Sequence, residues 1–286
     1  MRERFFEVFG RRLAALEWGE QSGCPILALH GWLDNAASFL PLAKALVERG
    51  ASMHLVALDL AGHGQSDHRA ADGEYNAWSD LPDIEAVVDQ LGWERFALLG
   101  HSRGAMICTL YSSARPERID RVAWLDGIVP PLAEPDECPR QLAEFLADKR
   151  TLLDKPGRTF TRIEDAVRVR ERKGLAPAAA RLIAERNLRP VESGWCWSHD
   201  ARLQGASAMR LTHDHMNAVL AGISMPGLLL LAESGMSARY EIPALPGNIR
   251  VATKPGGHHC HMDEAVDAIA TELESFFSLA PEEPGA

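Results

Sequence analysis

The segment Gly100-His-Ser-Arg-Gly104 has the Gly-x-Ser-x-Gly pattern of a nucleophile elbow, which is a sharp turn between a strand and a helix that carries a reactive serine. The apolar residues 96–99 before it indicate a buried strand, and residues 105–113 after it have the composition of a helix with an apolar face. A sharp turn between this strand and helix would expose the Ser102 hydroxyl, and the glycines would let the two elements pass close together. The five residues alone fit an ordinary turn equally well, so the assignment depends on partners elsewhere in the chain.

A histidine that could take the serine proton lies late in the chain, in Pro255-Gly-Gly-His-His-Cys-His261. Acyl transfer needs a nucleophile, a base, an acid that orients the base, and donors for the oxyanion. In enzymes with a nucleophile elbow, the serine comes first along the chain, the acid second and the histidine base last. We assign His258, which follows the glycine pair, as the base, with His259 as the second choice. The three histidines and the cysteine of this loop could also be metal ligands. Because four ligands within four residues cannot easily wrap one tetrahedral ion, we expect no metal site.

Two carboxylates are candidates for the triad acid. Asp126 ends the predicted strand 121–126, next to the strand that precedes the elbow, at a carboxyl end that faces the serine. Many enzymes with this kind of nucleophile turn instead place an Asp after a later strand, which here covers residues 228–232. Gly235 stands where that Asp would be, and Glu233 is the nearest acidic substitute. We favour Asp126, since the triad otherwise has no acid, and keep Glu233 as the alternative.

The oxyanion donors are expected to be two backbone N–H groups. One belongs to Arg103, directly after the nucleophile, and the other to Trp32 in the loop after the first buried parallel strand. His30 in the same loop is expected to be a structural histidine bonded to nearby backbone. The Arg103 guanidinium would reach solvent or an acid, or alternatively would bind a substrate carboxylate.

The elements that must position these residues follow an alternating pattern. Six apolar strands, several of them followed by a helical pattern, predict right-handed βαβ units and a mostly parallel sheet, after an initial strand pair at residues 5–17. The alternation stops between residues 128 and 224, where helical patterns occur without a buried strand. We therefore predict an α/β core formed by residues 1–127 and 225–286, with residues 128–224 inserted as a helical cap, or lid, above the carboxyl ends of the strands.

Composition narrows the class of protein. The chain has 286 residues with a formal net charge of −10, which disfavours nucleic acid or an anionic membrane as a partner. Its five cysteines are odd in number and widely spaced, as is typical of reduced thiols in a cytoplasmic protein. The N-terminus has no apolar h-region and no segment is long enough to span a membrane, so secretion is not expected. The oligomeric state is not predicted.

Four segments together resemble the α/β-hydrolase superfamily: His30-Gly-Trp-Leu-Asp-Asn-Ala-Ala-Ser-Phe39, Asp59-Leu-Ala-Gly-His-Gly-Gln-Ser66, the Ser102 pentapeptide and Gly256-Gly-His-His-Cys-His261. The His-Gly-Trp-x-Asp-Asn-Ala opening and Leu125-Asp126 resemble in particular its serine hydrolase-like (Kraken-type) branch. The resemblance implies an esterase-like serine hydrolase with a helical lid and with neither metal nor cofactor. It also implies Ser102 as nucleophile, His258 as base, and Trp32 and Arg103 as oxyanion donors.

The predicted function is hydrolysis of small carboxylic esters through an acyl-enzyme on Ser102, with His258 as general base and Asp126 orienting it. Two alternatives remain open. A carbon–carbon bond hydrolase or a thioesterase would use the same three residues and differ only in the lid. A non-catalytic receptor for a small ligand would be favoured if Asp126 could not reach His258.

Overall fold

A computed structural model describes residues 1–236 and 242–279 of the chain. Its central sheet has eight strands, in the spatial order β1-β2-β4-β3-β5-β6-β10-β11. These strands are β1 (Arg2–Val8), β2 (Arg11–Gly19), β3 (Cys24–Leu29), β4 (Met53–Leu58), β5 (Phe96–His101), β6 (Ile119–Leu125), β10 (Gly227–Ser234) and β11 (Ile249–Gly257). The strands from β3 onward pair in parallel, whereas β1 and β2 pair antiparallel with each other and β2 pairs antiparallel with β4. The predicted mostly parallel α/β sheet is confirmed.

Eight α-helices accompany the strands in the described part of the chain. They are α1 (Leu40–Glu48), α2 (Leu81–Leu91), α3 (Arg103–Ala114), α4 (Cys138–Leu152), α5 (Ile163–Glu171), α6 (Pro177–Arg186), α7 (His213–Ala221) and α8 (Val266–Phe277). None of the described helices is long and apolar enough to cross a bilayer.

The hydrophobic core forms one layer on each face of the sheet. Strands β4 and β5 are buried along their whole length, because helices cover both faces of a parallel sheet. Apolar residues of α2, α3 and α7 fill one face, with Ile84, Ile107 and Leu220 among them. Apolar residues of α1 and α8 fill the other face, including Leu42 and Leu273. This arrangement holds the carboxyl ends of β3, β5, β6 and β10 together at one edge.

The segment predicted as a cap, residues 128–224 and called the cap segment below, contains α4 to α7 and a small antiparallel sheet. That sheet has the order β7-β9-β8 and consists of β7 (Thr159–Phe160), β8 (Leu188–Val191) and β9 (Gly194–Trp197). The expectation of helices alone missed it, because strands of two to four residues are too short for a periodic pattern. Apolar residues of α5 and α6 form a separate hydrophobic cluster with Phe160 and Trp197. Met262, which lies outside the cap segment, belongs to the same cluster. Helix α7 packs on α3 instead, so its Leu220 belongs to the core.

Candidate active site

Ser102 lies at the turn between β5 and α3 and has a strained backbone. Its φ of 51° and ψ of −114° fall in a region that residues with a side chain rarely adopt. The flanking glycines make this turn possible. A Cβ on Gly100 would lie 2.6 Å from the Ala105 backbone, and one on Gly104 would overlap the Leu29 carbonyl of β3. The residue types of the pentapeptide therefore follow from the close approach of strand and helix, as the sequence pattern predicted.

His258 and Asp126 form a short hydrogen bond. The distance from His258 Nδ1 to Asp126 Oδ2 is 2.6 Å, although the two residues are far apart in sequence. Because a carboxylate accepts hydrogen bonds, Nδ1 carries the hydrogen and Nε2 is left with a lone pair. The buried Asp126 carboxylate also accepts hydrogen bonds from the N–H groups of Ala232, at 3.1 Å, and Met236, at 2.8 Å. These three donors fix the orientation of the acid and hold the His258 ring in one tautomer.

Backbone and ring contacts bring the nucleophile next to this pair. The Ser102 N–H donates to the Leu125 carbonyl at 3.1 Å, one residue before Asp126. On the other side, His101 Nε2–H donates to the His258 carbonyl at 2.9 Å, and the two rings lie 4.6 Å apart. Among the described contacts, Ser102 Oγ makes no direct hydrogen bond to His258. In enzymes without substrate such bonds are often long and tighten when the substrate binds.

Glu233, the alternative acid, lies elsewhere. Its side chain is exposed and makes no hydrogen bond or ion pair with the described residues. The position of the Asp126 carboxylate explains why a glycine and not an Asp occupies position 235, since a Cβ on Gly235 would overlap this carboxylate. An acid from the β10 side and the acid that follows β6 would therefore occupy the same volume.

The two expected oxyanion donors border the nucleophile turn. The Arg103 N–H is the first of α3, where helical amides have no intrahelical acceptor, and the Trp32 N–H follows β3. Neither amide donates a hydrogen bond to any other described group. The Trp32 side chain is half exposed, and its indole N–H donates to the Leu203 carbonyl of the cap segment at 2.8 Å.

The side chains of Arg103 and of His30, which lies beside the predicted site, contact other groups of the protein. The Arg103 guanidinium lies 2.8 Å from buried Asp80 and donates to the Tyr75 carbonyl at 3.0 Å. Of the two readings of Arg103, its contact with an acid is the one formed here. His30 bonds the Gly31 carbonyl and the Leu60 N–H, which confirms its expected structural role.

A second histidine–carboxylate pair lies beside the first, and its partners were not matched at the sequence level. His259 Nε2 is 3.0 Å from Asp34 Oδ2. Burial opposes charge on His259, but the Asp34 carboxylate outweighs it and raises the pKa of the imidazole. Conversely, burial would raise the pKa of Asp34, but His259 lowers it. Both residues stand in motifs that we noted in the sequence, yet spacing alone does not indicate that they meet.

Two clefts open beside the nucleophile turn. The first has a volume of about 490 Å³, begins at Gly127 and has mainly apolar walls, which include Met106, Ile128, Leu132, Leu231 and Ile242. The second has a volume of about 480 Å³ and is lined by aromatic and polar residues, among them Trp32, Tyr75, Trp78, Arg103 and Gln204. Both are bordered by Pro130 and Pro131, so the two clefts adjoin at these residues. Arg103, which follows Ser102 in the chain, lines the second cleft.

The fold and the motifs agree with a family comparison. Residues 25–165 match the alpha/beta hydrolase fold family, and the chain belongs to the α/β-hydrolase superfamily. It is similar to a serine hydrolase-like protein of Danio rerio, with 28% identity over 93% of this chain and 85% of that protein. A solved structure of a hypothetical protein from Pseudomonas aeruginosa is 40% identical, with a TM-score of 0.91 over 97% of this chain and 100% of that one.

A more distant structure has the same fold. The thioesterase domain from the curacin biosynthetic pathway is 24% identical and superposes with a TM-score of 0.82 over 96% of this chain and 99% of that domain. At this identity the likeness shows the fold alone. The family and the serine hydrolase-like relatives together support hydrolase activity.

Proposed function

We propose that this protein hydrolyses small carboxylic esters through an acyl-enzyme formed on Ser102. The observation that carries the proposal is the 2.6 Å hydrogen bond between His258 and buried Asp126, beside a strained serine turn. Nucleophilic serine enzymes use this combination of a nucleophile, a base and an acid that orients the base.

The reaction has two steps. His258 Nε2 takes the proton from Ser102 Oγ while the oxygen attacks the ester carbonyl carbon, and the resulting oxyanion accepts hydrogen bonds from the N–H groups of Trp32 and Arg103. The C–O bond to the alcohol then breaks, and His258 returns the proton to the leaving oxygen. In the second step His258 activates a water molecule that releases the acid and restores Ser102. Asp126 stays ionised and stabilises the charged imidazole throughout.

The clefts suggest how an ester would lie. The apolar cleft next to Gly127 suits the acyl chain, and the cleft next to Trp32 suits the alcohol, because the scissile carbonyl would then sit between Ser102 and the two amides. The cap segment contributes to both clefts, and we infer that it acts as a lid that sets specificity. The five unpaired cysteines fit a reducing compartment, so we place the reaction in the cytoplasm.

A labelling experiment tests the proposal. Purified protein is treated with a fluorophosphonate probe and assayed with p-nitrophenyl esters of increasing acyl length, using wild type, Ser102→Ala and Ser275→Ala. Ser275 is an exposed serine of α8 and provides the matched control. We expect labelling and turnover in wild type and in Ser275→Ala, with both lost in Ser102→Ala. An unlabelled wild type would contradict a nucleophilic serine, and labelling without turnover of any ester would redirect the search to thioesters and carbon–carbon bonds.

A further inference from the structure

Three side-chain atoms that could ligate a metal ion come from widely separated positions in the chain and lie beside His258. Asp34 Oδ2, His101 Nδ1 and His259 Nε2 all lie within 4.8 Å of one another. Asp34 Oδ2 is 3.0 Å from the His259 nitrogen and 3.8 Å from the His101 nitrogen. A tetrahedral zinc ion with bonds of about 2.0–2.2 Å holds its ligand atoms roughly 3.3–3.6 Å apart. These two spacings lie on either side of this range, and the two histidine nitrogens lie within 4.8 Å of each other. Side-chain movements alone would therefore be needed to bring the three atoms to ligand distances.

His101 supplies an unsatisfied nitrogen to this cluster. Its ring is fully buried, and Nε2 faces the His258 carbonyl, which can only accept a hydrogen bond, so Nε2 carries the hydrogen. Nδ1 then carries a lone pair that has no hydrogen-bond partner among the described residues, and it lies next to another acceptor on Asp34. A cation between the two atoms would satisfy both. Histidines that bind metals commonly donate their other N–H to a carbonyl, as His101 does here.

Gly31 leaves the space between two of these ligand atoms open. A Cβ at this position would lie 2.9 Å from Asp34 Oδ2 and 3.0 Å from His101 Nδ1. Any larger residue would therefore fill the space beside both atoms. His261 packs against the cluster, with its ring 4.2 Å from that of His101, and both of its buried nitrogens also lack hydrogen-bond partners in the part of the chain that the structure describes.

We propose that Asp34, His101 and His259 bind one divalent transition-metal ion of the zinc class. Two imidazoles and one carboxylate suit such ions, and the small part of the His259 side chain that remains exposed, 14%, provides the entry path. Arg170 of the cap segment donates a hydrogen bond to the carbonyl of Leu33, next to Asp34. Its positive charge would repel the bound ion. We therefore expect micromolar rather than nanomolar affinity. The ion would join the loops that carry Trp32, Ser102 and His258.

The sequence could not indicate this site. The histidine-rich loop cannot wrap an ion by itself, and only one of its residues is used here. The other two ligands come from the loop after β3 and from the last residue of β5. Their proximity is a property of the parallel sheet, which brings the carboxyl ends of distant strands to one edge.

The test uses the metal-free full-length chain, titrated separately with Zn²⁺ and Co²⁺. Binding is followed by calorimetry, by the visible absorption of Co²⁺ and by the thermal midpoint, so no readout requires hydrolysis. The variants are Asp34→Asn, His259→Gln and Gly31→Ala, and His213→Gln, on the exposed surface, is the control. We expect one ion per chain in wild type and in His213→Gln. Affinity should fall at least about tenfold in the other three.

Gly31→Ala keeps all three ligands, and His259→Gln keeps a hydrogen-bond donor toward Asp34. Circular dichroism spectra of these variants identical to that of wild type would rule out misfolding as the cause of lost binding. Equal binding in all variants, or loss of binding in His213→Gln alone, would overturn the proposal and leave an adventitious ion only. Because the measurements are independent of ester turnover, a failed metal titration leaves the proposed hydrolysis standing, and the converse also holds.

Discussion

Asp126 and Gly235 come from different strands but compete for the same volume beside His258. Asp126 has a φ of 45°, a conformation that glycine adopts without strain, whereas Gly235 does not have positive φ. A carboxylate at 235 would therefore fit only if the one at 126 were removed. The acid that orients His258 could therefore be moved from position 126 to position 235 by exchanging the two residue types.

We expect Asp126→Gly to lower kcat on a p-nitrophenyl ester by about 10³–10⁴-fold, because His258 loses the group that fixes its tautomer. The double variant Asp126→Gly/Gly235→Asp should recover at least about tenfold of this loss, with little change in KM in either protein. Steady-state kinetics on the purified variants measure both effects. Glu233→Gln is the control and should stay within about twofold of wild type. A large loss in Glu233→Gln, with activity retained in Asp126→Gly, would move the acid to Glu233.

The three triad candidates could be selected from sequence because each stands in a local motif with its own physical reason. Ser102 needs glycines for the turn, His258 follows a glycine pair, and Asp126 ends a buried strand. Pairs such as Asp34 with His259 depend on which loops the sheet brings together. No spacing in the chain encodes that contact, so its chemistry became visible only in three dimensions.

At the scale of elements, Glu17 ties together the three strands at one edge of the sheet. It lies on β2 opposite Arg2 of β1, whose guanidinium is 2.8 Å from the carboxylate, and it contacts buried His54 of β4 on the other side. Arg4 adds a third contact at 3.3 Å. Burial opposes the charge, but the hydrogen bonds from Arg2 and His54 lower the pKa of Glu17 to about 2.

This lowered pKa predicts a pH-dependent contribution to stability. The unfolded chain binds a proton at Glu17 more readily than the folded chain, so the stabilisation is present above the ordinary pKa of 4.5 and declines as the pH falls toward about 2. We expect Glu17→Gln to lower the free energy of unfolding by about 3 kcal/mol at neutral pH. The difference from wild type should shrink between roughly pH 5 and pH 3, as measured by urea denaturation. Glu20→Gln, at an exposed site beside the same strand, serves as control, and a difference independent of pH would contradict this account.

Sequence periodicity located the buried strands well and the edge elements less well. Strands β4 and β5 appear as apolar runs because both of their faces are covered. Strand β11, at the sheet edge, extends to Gly257, whereas the strand pattern in the sequence covers only residues 248–253. Only one of its sides pairs and its burial is irregular, so the continuation through Pro255 and the glycines has no sequence signal. That continuation delivers His258 to the site.

At the scale of the whole molecule, buried polar contacts fasten the cap segment to the core. Arg186, at the end of α6, forms an ion pair at 2.9 Å with Asp59, a fully buried residue that directly follows β4. Asn187 donates to the Leu33 carbonyl at 3.0 Å and accepts from the Gly64 N–H at 2.9 Å. These contacts reach the loops that also carry the candidate oxyanion donor and the proposed metal ligand Asp34. The anchoring could not be predicted, because it pairs residues across the insertion without any regular spacing.

Because Asp59 is buried, its partner matters for the cooperativity of folding. Removing one member of a buried ion pair leaves an uncompensated charge and costs about 3–5 kcal/mol. We therefore expect wild type to unfold in urea in one transition, with tryptophan fluorescence and far-ultraviolet circular dichroism coinciding. Arg186→Met should lower the midpoint and separate the two curves, since the cap segment would loosen before the sheet. Arg181→Met removes a half-exposed arginine from the same helix and should change neither property. Coincident curves with an unchanged midpoint in Arg186→Met would mean that apolar contacts such as Met262 with the cap cluster suffice to hold the two parts together.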